Sequence, residues 1–469
     1  RILLAGRLPM MALAILFGLA LAWWTRWKFG AAAALAALAF YCLDPDLIAH
    51  SRYVATDVPV AALIFLASIA AVESLETGRL LDLFLASLLF ALAAVTKYSA
   101  LLLAPAIALL YVIRWWQRPR EFPLRRLAMA AAAFTGVTLA VIAIVYWPET
   151  LRCLRGRAES FAEWGDPQTA LGRTLGWMGK WLRLPTHTYP FGLQLLAAQN
   201  RTGHDAYLMG RHSQLGWWYY FPVAFAVKST VAALLALLAV TVAGVRWLAA
   251  RRLWRRLRDA PLIWYGLTVP PLVYFAISMT STINAGMRYV LPVYPFLYVL
   301  AAAVLARGRW RFSRWLLAGL LAVQAAECIG IYPDYLAFFN VLSGGPGNGP
   351  KYLADSNIDW GQDVKKLAKW LKARGANRVY FRYFGSYPPG LEYLDCLSVP
   401  GTEDRAGRDA VDGFVAVSVT YLVGLYVPQN EYAWLRQMNP VAKVGYSIYV
   451  YDLRKRYLAA STVPEIAPR

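Results

Sequence analysis

The stretch VPVAALIFLASIAAV, residues 58–72, is an apolar run of the kind that crosses a membrane as a helix. Similar runs, many close to twenty residues long, recur from residue 8 to residue 332 and then stop. A hydrocarbon core about 30 Å thick requires helices of about that length. The whole chain is 59% hydrophobic and only 16% charged, whereas soluble domains carry about 25% charged residues. The sequence therefore predicts a polytopic α-helical membrane protein.

The apolar runs predict about ten spans and a tail outside the membrane. The membrane domain is expected at 1–332, with a long loop at 147–220, and a C-terminal domain at 333–469. In that second domain, strand-like RVYFRYF, GFVAVSVTYLV and GYSIYVYDL accompany the helix-like WGQDVKKLAKWLKARG and a short helix around NEYAWLRQ, which indicates a small α/β fold. The predicted spans are 8–25, 30–43, 58–73, 80–95, 98–113, 127–146, 221–245, 261–279, 289–306 and 314–332.

The positive charge of the chain, +21 overall, is distributed between the spans. Nucleic-acid binding is not indicated, because the basic residues do not gather on one soluble domain. Eighteen lysines and arginines fall in loops on one side, and only Arg52, Lys97 and Arg288 fall in the short loops on the other. Because basic loops stay in the cytoplasm, the loop 147–220 and the C-terminal domain are predicted outside it.

Polar residues gather at helix ends on the predicted outer side. Two interpretations stand for each of them: basic and aromatic side chains that anchor the protein at the lipid headgroups, or groups that contact a substrate. The long outer loop adds His204 and Asp205, which are candidates to face a headgroup. The residues concerned in the short loops are His50 and Arg52 in HSRYVATD, Lys97 and Tyr98 in TKYS, and Asn284, Arg288 and Tyr289 in STINAGMRYVLP.

Asp57 is harder to explain as a lipid anchor, because a carboxylate gains nothing from anionic lipid. It precedes Pro59 at the start of a span, so it could be a plain helix cap. The competing interpretation is a carboxylate for metal, proton or substrate chemistry, since ionisable groups at membrane depth usually serve function.

Five motifs occur in the order found in one family. HSRYVATDVPVA, AAVTKYSALLLAP, GWWYYFPVAFAVKST, INAGMRYVLPVYPFLYVLAA and YLADSNIDWGQDVKKL resemble those of bacterial phospholipid-carrier-dependent glycosyltransferases of glycosyltransferase family 39. These are relatives of the protein O-mannosyltransferases and the lipid A aminoarabinose transferases and have the GT-C fold. The resemblance covers nearly the whole chain, and INAGMRYVLPVYPF and ADSNIDWGQD are its most specific parts.

The resemblance implies an inverting sugar transfer at the outer face of the bacterial inner membrane, on the periplasmic side. A polyprenyl phosphate carries the sugar, and a hydroxyl of a protein, a lipid or a glycan accepts it. Asp57 matches the second acidic position of the family, where a divalent cation is a further option; no other cofactor is implied. Arg52, Lys97, Arg288 and Tyr289 are candidates for the donor phosphate and lipid. The candidates for headgroup or substrate contacts are His50, Tyr98, His204, Asp205 and Asn284.

The principal acid of the family falls before residue 1 of this chain. The resemblance therefore predicts either an N-terminally truncated sequence or an inactive polypeptide. Two rivals remain: a transporter or lipid flippase, and a non-catalytic membrane protein whose outer domain binds a partner. A transporter is less favoured, because the spans are nearly uncharged and the halves show no repeat. The closest exception is Lys228, near the outer end of its span.

Overall fold

The computed structural model describes residues 2–154, 173, 188–249, 253–306, 311–386, 389–391 and 393–454. Of the predicted outer loop 147–220, residues 155–172 and 174–187 lie outside the described residues. The chain forms two compact units, each built from segments distant in sequence. The first comprises Arg1–Gly203, Val231–Thr282 and Tyr289–Ala326, and the second comprises His204–Thr230, Ile283–Arg288 and Glu327–Arg469.

The first unit is helical throughout its described part. A 3₁₀ turn at Tyr98–Leu102 precedes one of its helices. The final helix, Arg311–Gly330, belongs to this unit up to Ala326. The other helices are Ile2–Phe29, Ala31–Cys42, Pro45–Ser51, Asp57–Thr77, Leu80–Thr96, Leu103–Gln117, Leu124–Val145, Trp147–Leu154, Thr188–Thr202, Val231–Leu248, Leu253–Asp259, Leu262–Ser278 and Val293–Ala306.

Each of the ten predicted spans overlaps a described helix, and the polytopic helical class is confirmed. That all ten cross the membrane stays a prediction. By length and composition, five described helices can cross a membrane, or seven if two bent pairs each count as one span. Leu80–Thr96 and Val293–Ala306 are apolar but shorter. The predicted single span 221–245 is in fact two helices, Tyr220–Lys228 and Val231–Leu248, because the backbone turns extended at Ser229 (ψ 144°).

A sharp bend separates the helices Ala31–Cys42 and Pro45–Ser51, whose axes differ by 66°. Asp44 caps the second helix, since its Oδ1 accepts the Leu47 N–H at 2.7 Å. Pro45 occupies the first helical position, where its missing N–H costs nothing.

The helix Asp57–Thr77 is the most buried of the five long apolar helices. Its Phe65 contacts Phe17, Trp24 and Phe296 through edge-on aromatic pairs with ring centroids 5.0–6.0 Å apart. Asp57, the first residue of this helix, is therefore attached to the best-packed element of the unit.

The second unit contains a five-stranded mixed sheet and a two-stranded hairpin, Ala206–Leu208 with Arg211–Ser213. The strand order of the sheet is Asp395–Leu397, Arg378–Arg382, Phe414–Ser418, Ile448–Asp452 and Ala442–Val444. The first three strands are parallel, and the last two pair antiparallel. The helices are Tyr220–Lys228, Val364–Lys372, Arg405–Ala410, Val419–Leu422 and Ala433–Arg436, and 3₁₀ turns occur at Tyr335–Ala337, Val341–Ser343, Pro346–Lys351, Asp355–Asn357 and Pro389–Leu391.

Both faces of the sheet are covered. Phe414 and Ala416 contribute to a core with Leu367 and Leu371 of the helix Val364–Lys372. Val415 and Val417 alternate with them and join a second core. Every residue of the central strand Phe414–Ser418 is consequently buried, as expected of a strand packed on both sides.

The small α/β architecture of the C-terminal region is confirmed, including three predicted strands and the short helix at Ala433–Arg436. Two short strands, Asp395–Leu397 and Ala442–Val444, carry no clear sequence pattern and were not predicted. The helix predicted from WGQDVKKLAKWLKARG begins only at Val364, after the first four residues of that stretch. The Asp359 carboxylate accepts the Gly361 N–H at 2.9 Å and closes a turn.

Candidate active site

Asp57 and Lys97 form a buried ion pair in the first unit. The Lys97 Nζ lies 2.6 Å from the Asp57 Oδ1, and the two side chains are 20% and 3% exposed. Lys97 follows the helix Leu80–Thr96 in extended conformation (φ −159°, ψ 133°), and this break directs its chain out of the helix. The helix starts at Asp57, but its carboxylate bonds a lysine forty residues away in sequence. The plain helix-cap interpretation therefore does not account for this side chain.

Tyr289 completes this cluster, called here the Asp57–Lys97–Tyr289 cluster. The Lys97 Nζ lies 4.5 Å from the centroid of the Tyr289 ring, close enough for a cation–π interaction. The Tyr274 hydroxyl donates to the Tyr289 carbonyl at 3.2 Å and holds the 3₁₀ turn on which the ring is mounted. The structure thus brings together one carboxylate, one ammonium and one aromatic ring that the sequence selected from three separate loops.

The other selected residues of the first unit have separate surroundings. His50 is buried, and its Nδ1 is 2.8 Å from the Asp46 carbonyl oxygen. Arg52 is half-buried directly after the helix Pro45–Ser51. Tyr98 packs against Tyr189, with ring centroids 4.9 Å apart.

In the second unit, the two most specific motifs of the sequence bind one another. The Asn357 Oδ1 accepts the Met287 N–H at 2.9 Å, and the Ser356 hydroxyl donates to the Ala285 carbonyl at 2.5 Å. Between these contacts lies Gly286 (φ +113°), where an added Cβ would collide with the Ser356 Oγ. INAGMR and ADSNIDW can approach this closely only because residue 286 has no Cβ, which explains the glycine.

Arg288 and Asn284 lie in this second unit. The Arg288 guanidinium is 5.0 Å from the centroid of the Trp360 ring. Asn284 is buried, and its Oδ1 accepts the Trp217 N–H at 2.7 Å. Asn284 therefore makes a structural contact with the backbone. The sequence had predicted a substrate contact for this residue and gave no sign of the structural one.

A second polar cluster surrounds Asp355. Its carboxylate accepts a hydrogen bond from the Tyr426 hydroxyl at 3.3 Å, and the His204 ring meets the Tyr426 ring edge-on with centroids 5.7 Å apart. Burial raises the pKa of the Asp355 carboxyl to about 6, while Arg288 and His204 oppose part of that rise. Asp355 and Tyr426 were not among the candidate site residues predicted from the sequence.

Asp205 lies beside that cluster, on the wall of a cavity of about 260 Å³ that Tyr426 also lines. The cavity lies between the hairpin and the loop 424–429, both of which belong to the second unit. His204, its neighbour in sequence, turns its Nδ1 to the Asp205 carbonyl oxygen at 2.9 Å.

A divalent cation at Asp57 does not fit the residues present. The described residues contain no group of three or more histidine, cysteine or acidic side chains able to hold a metal ion. The Lys97 ammonium already supplies the positive charge beside the Asp57 carboxylate. The metal option at Asp57 stays a prediction, without support from the described residues.

Two buried carboxylates of the first unit were missed from the sequence. Asp44 and Asp46 are each 1% exposed, and Asp44 accepts a short hydrogen bond from the Tyr298 hydroxyl. The available signal was the pair of acids flanking Pro45 between two apolar runs. Asp44 terminates one helix and starts another, so its capping role accounts for it.

Comparison with known proteins gave one match. No family model and no curated protein matches the chain. A solved structure of ArnT from Cupriavidus metallidurans, bound to undecaprenyl phosphate, covers 95% of this chain and 83% of its own, with 13% identity and a TM-score of 0.40. At this TM-score and identity no functional conclusion follows from the match, so the proposed function rests on the chain's own residues.

Proposed function

We propose that this protein is a membrane glycosyltransferase that moves a sugar from a polyprenyl phosphate to an acceptor hydroxyl, with inversion at the anomeric carbon. The observation that carries the proposal is the buried Asp57–Lys97 pair at the ends of two apolar helices. Ionisable groups are costly there and are usually kept for function. The motifs of family 39 glycosyltransferases supply the reaction class.

The proposed chemistry needs one base and one cation. The acceptor oxygen attacks the anomeric carbon, the bond from that carbon to the phosphate oxygen breaks, and the electron pair leaves with the lipid phosphate. The acceptor proton passes to the Asp57 carboxylate, which acts as general base. Lys97 stabilises the charge that develops on the departing phosphate.

The ion pair between Asp57 and Lys97 suggests how donor binding frees the base and the cation for the reaction. The Lys97 ammonium, 2.6 Å away, occupies one oxygen of the Asp57 carboxylate. A donor phosphate beside Lys97 competes for that ammonium, because phosphate oxygens also form charge-assisted hydrogen bonds. We infer that donor binding releases Asp57 from Lys97, so the base becomes available only when there is a sugar to transfer. Tyr289 offers the released ammonium a second, uncharged partner.

The remaining assignments are part of the same proposal. Arg52 and Arg288 are further candidates for the donor phosphate, and His50, Tyr98 and His204 for the headgroup or sugar. The active site and the C-terminal region are placed on the periplasmic side of the bacterial inner membrane, as the distribution of basic loops predicts. The acceptor is a hydroxyl of a protein, a lipid or a glycan.

The test is transfer by the protein in membranes supplied with labelled polyprenyl-phosphate sugar. Asp57→Asn should lower kcat by about 10²–10⁴-fold, the usual contribution of a general base, while donor binding persists. A matched control is Glu73→Gln, because the Lys28 Nζ to Glu73 Oε1 distance is also 2.6 Å in the same unit. That variant should keep near-normal transfer.

Wild-type kcat in Asp57→Asn would refute Asp57 as the base. No transfer from any carrier sugar by the unaltered protein would refute the proposed function. Movement of labelled lipid between the membrane leaflets without transfer would then point to a flippase.

A further inference from the structure

The cavity of the second unit has the lining expected of a site for hydroxyl groups. Its wall includes the carboxylate of Asp205, the amides of Gln214 and Gln429, and the hydroxyl of Ser213. Carboxylates accept hydrogen bonds, while amides both donate and accept them. A sugar ring presents neighbouring hydroxyls that do the same. At about 260 Å³ the cavity is smaller than the roughly 300–1,000 Å³ pockets of drug-sized ligands, and suits a single ring.

His212 also lines this cavity, and the tautomer of its ring follows from a backbone contact. Its Nε2 is 3.0 Å from the Val423 carbonyl oxygen, and a carbonyl can only accept, so the Nε2 must carry the proton. In the neutral ring, the Nδ1 is then the acceptor. The contact to Val423 fixes the orientation of the imidazole on the cavity wall before any ligand arrives.

Tyr426 is the aromatic part of the wall, and its conformation is constrained. Its φ of +62° is unusual for a residue with a side chain, as is the +57° of its partner Asp355. The Phe384 ring lies parallel to the Tyr426 ring, with centroids 5.8 Å apart. The Tyr426 hydroxyl donates to Asp355, and His204 meets its ring edge-on. Strained residues that the surroundings hold in place concentrate at ligand sites.

The charge of the cavity restricts the ligand. Its described lining contains a carboxylate, Asp205, and no lysine or arginine. A phosphate or another anion would be repelled by the Asp205 carboxylate of that lining. The exposed apolar patches of a sugar ring can instead pack on Leu425, Tyr426 and Val427.

We propose that this cavity, between the hairpin Ala206–Ser213 and the loop 424–429, is a binding site for a neutral sugar ring. Asp205, Gln214 and Gln429 bind the ring hydroxyls, and Tyr426 supplies a rigid apolar wall. If the proposed glycosyltransferase function holds, the ligand is the sugar of a glycan acceptor, an extension that rests on that function. The binding itself does not depend on it.

The experiment is a titration of the purified full-length protein in detergent with methyl mannoside, methyl galactoside and N-acetylglucosamine, without any donor. At least one of the three should bind in the millimolar range or tighter. Asp205→Ala and Gln429→Ala should each weaken that binding about tenfold, the effect of losing one charged or bidentate hydrogen-bond partner. Both side chains are exposed, so folding should be unaffected. Glu403→Ala, an exposed acid of the same unit away from the cavity, should bind like the unaltered protein.

Three results would overturn the inference: no binding of any probe at high millimolar concentration, equal binding by the Asp205→Ala and Glu403→Ala variants, or tighter binding of mannose 6-phosphate than of methyl mannoside. Sugar binding without transfer from any carrier would refute only the proposed function. Transfer without sugar binding would refute only this inference.

Discussion

The buried ammonium groups of Lys97, in the first unit, and Lys228, in the second, are stabilised by different kinds of partner. Lys97 faces a carboxylate and an aromatic ring, and its side chain keeps 20% exposure. Lys228 is 1% exposed, and its Nζ donates to the carbonyl oxygens of Leu336 and Asn357 at 2.8 and 2.9 Å. One ammonium has a charged partner that can separate from it, while the other is bonded to the backbone.

The difference separates a reactive role from a structural one. Carbonyl oxygens belong to the chain itself, so Lys228 connects the helix Tyr220–Lys228 to two later loops and cannot leave without exposing unsatisfied groups. A carboxylate and an ammonium can each take another partner, such as a substrate hydroxyl or phosphate. A lysine in an apolar helix is therefore not by itself a sign of a transport path, which was the one sequence feature favouring that rival.

The largest expected effect is on folding. Lys228→Met removes both hydrogen bonds and should lower the free energy of unfolding by about 2–6 kcal/mol, since each unsatisfied buried carbonyl costs about 1–3 kcal/mol. Thermal unfolding of the purified protein measures the change. Lys351→Met, the same substitution at an exposed lysine of the same unit, is the control. An unchanged melting temperature in Lys228→Met would show that Lys228 does not have the structural role that distinguishes it from Lys97.

The second prediction tests whether the ion pair of Lys97 with Asp57 is reactive or only structural. Lys97→Met should reduce kcat by about 10²-fold, because the leaving phosphate loses its cation. It should also destabilise the protein by removing the ammonium beside the buried Asp57 carboxylate. The double variant Asp57→Asn with Lys97→Met should recover the melting temperature but not transfer. If transfer returned together with stability, the pair would be structural like Lys228.

The last effect depends on pH and concerns a buried acid with neutral hydrogen-bond partners, the counterpart of Lys228. Burial raises the pKa of Asp359 to about 8, above the ordinary 3.8 of the unfolded chain. The folded state then holds a proton that the unfolded state releases, so stability is greatest below about pH 4 and falls as the pH rises towards 8. The loss for this one group is up to about 1.4 kcal/mol per pH unit.

Asp359→Asn, which mimics the protonated acid, should flatten the dependence of the melting temperature on pH between 5 and 8. Asp395→Asn, a half-exposed acid on an edge strand, should leave that dependence unchanged. Equal slopes in the unaltered protein and Asp359→Asn would show that Asp359 is ionised when folded, like Asp57 beside Lys97.

Much of the fold follows from local pattern. The apolar runs predicted ten helical regions. The strands Arg378–Arg382, Phe414–Ser418 and Ile448–Asp452 were also predicted correctly. Both results follow because the buried residues of a regular element produce a recognisable pattern of apolar residues in the sequence. The break at Ser229 and the strands Asp395–Leu397 and Ala442–Val444 were not predicted. Their positions depend on partners distant in the chain, which periodicity does not record.

The candidate site likewise has features that the sequence indicated and contacts that only the tertiary structure shows. Composition and the distribution of basic residues determined that this is a polytopic helical protein, and the rarity of charge in its helices marked Asp57, Lys97 and Arg288 as unusual. Only the tertiary structure decided that Asp57 and Lys97 lie 2.6 Å apart, and that INAGMR binds ADSNIDW. Hydrophobic patterning is a property of each segment alone, whereas a pair of charges forty residues apart is brought together by the packing of the helices that carry them.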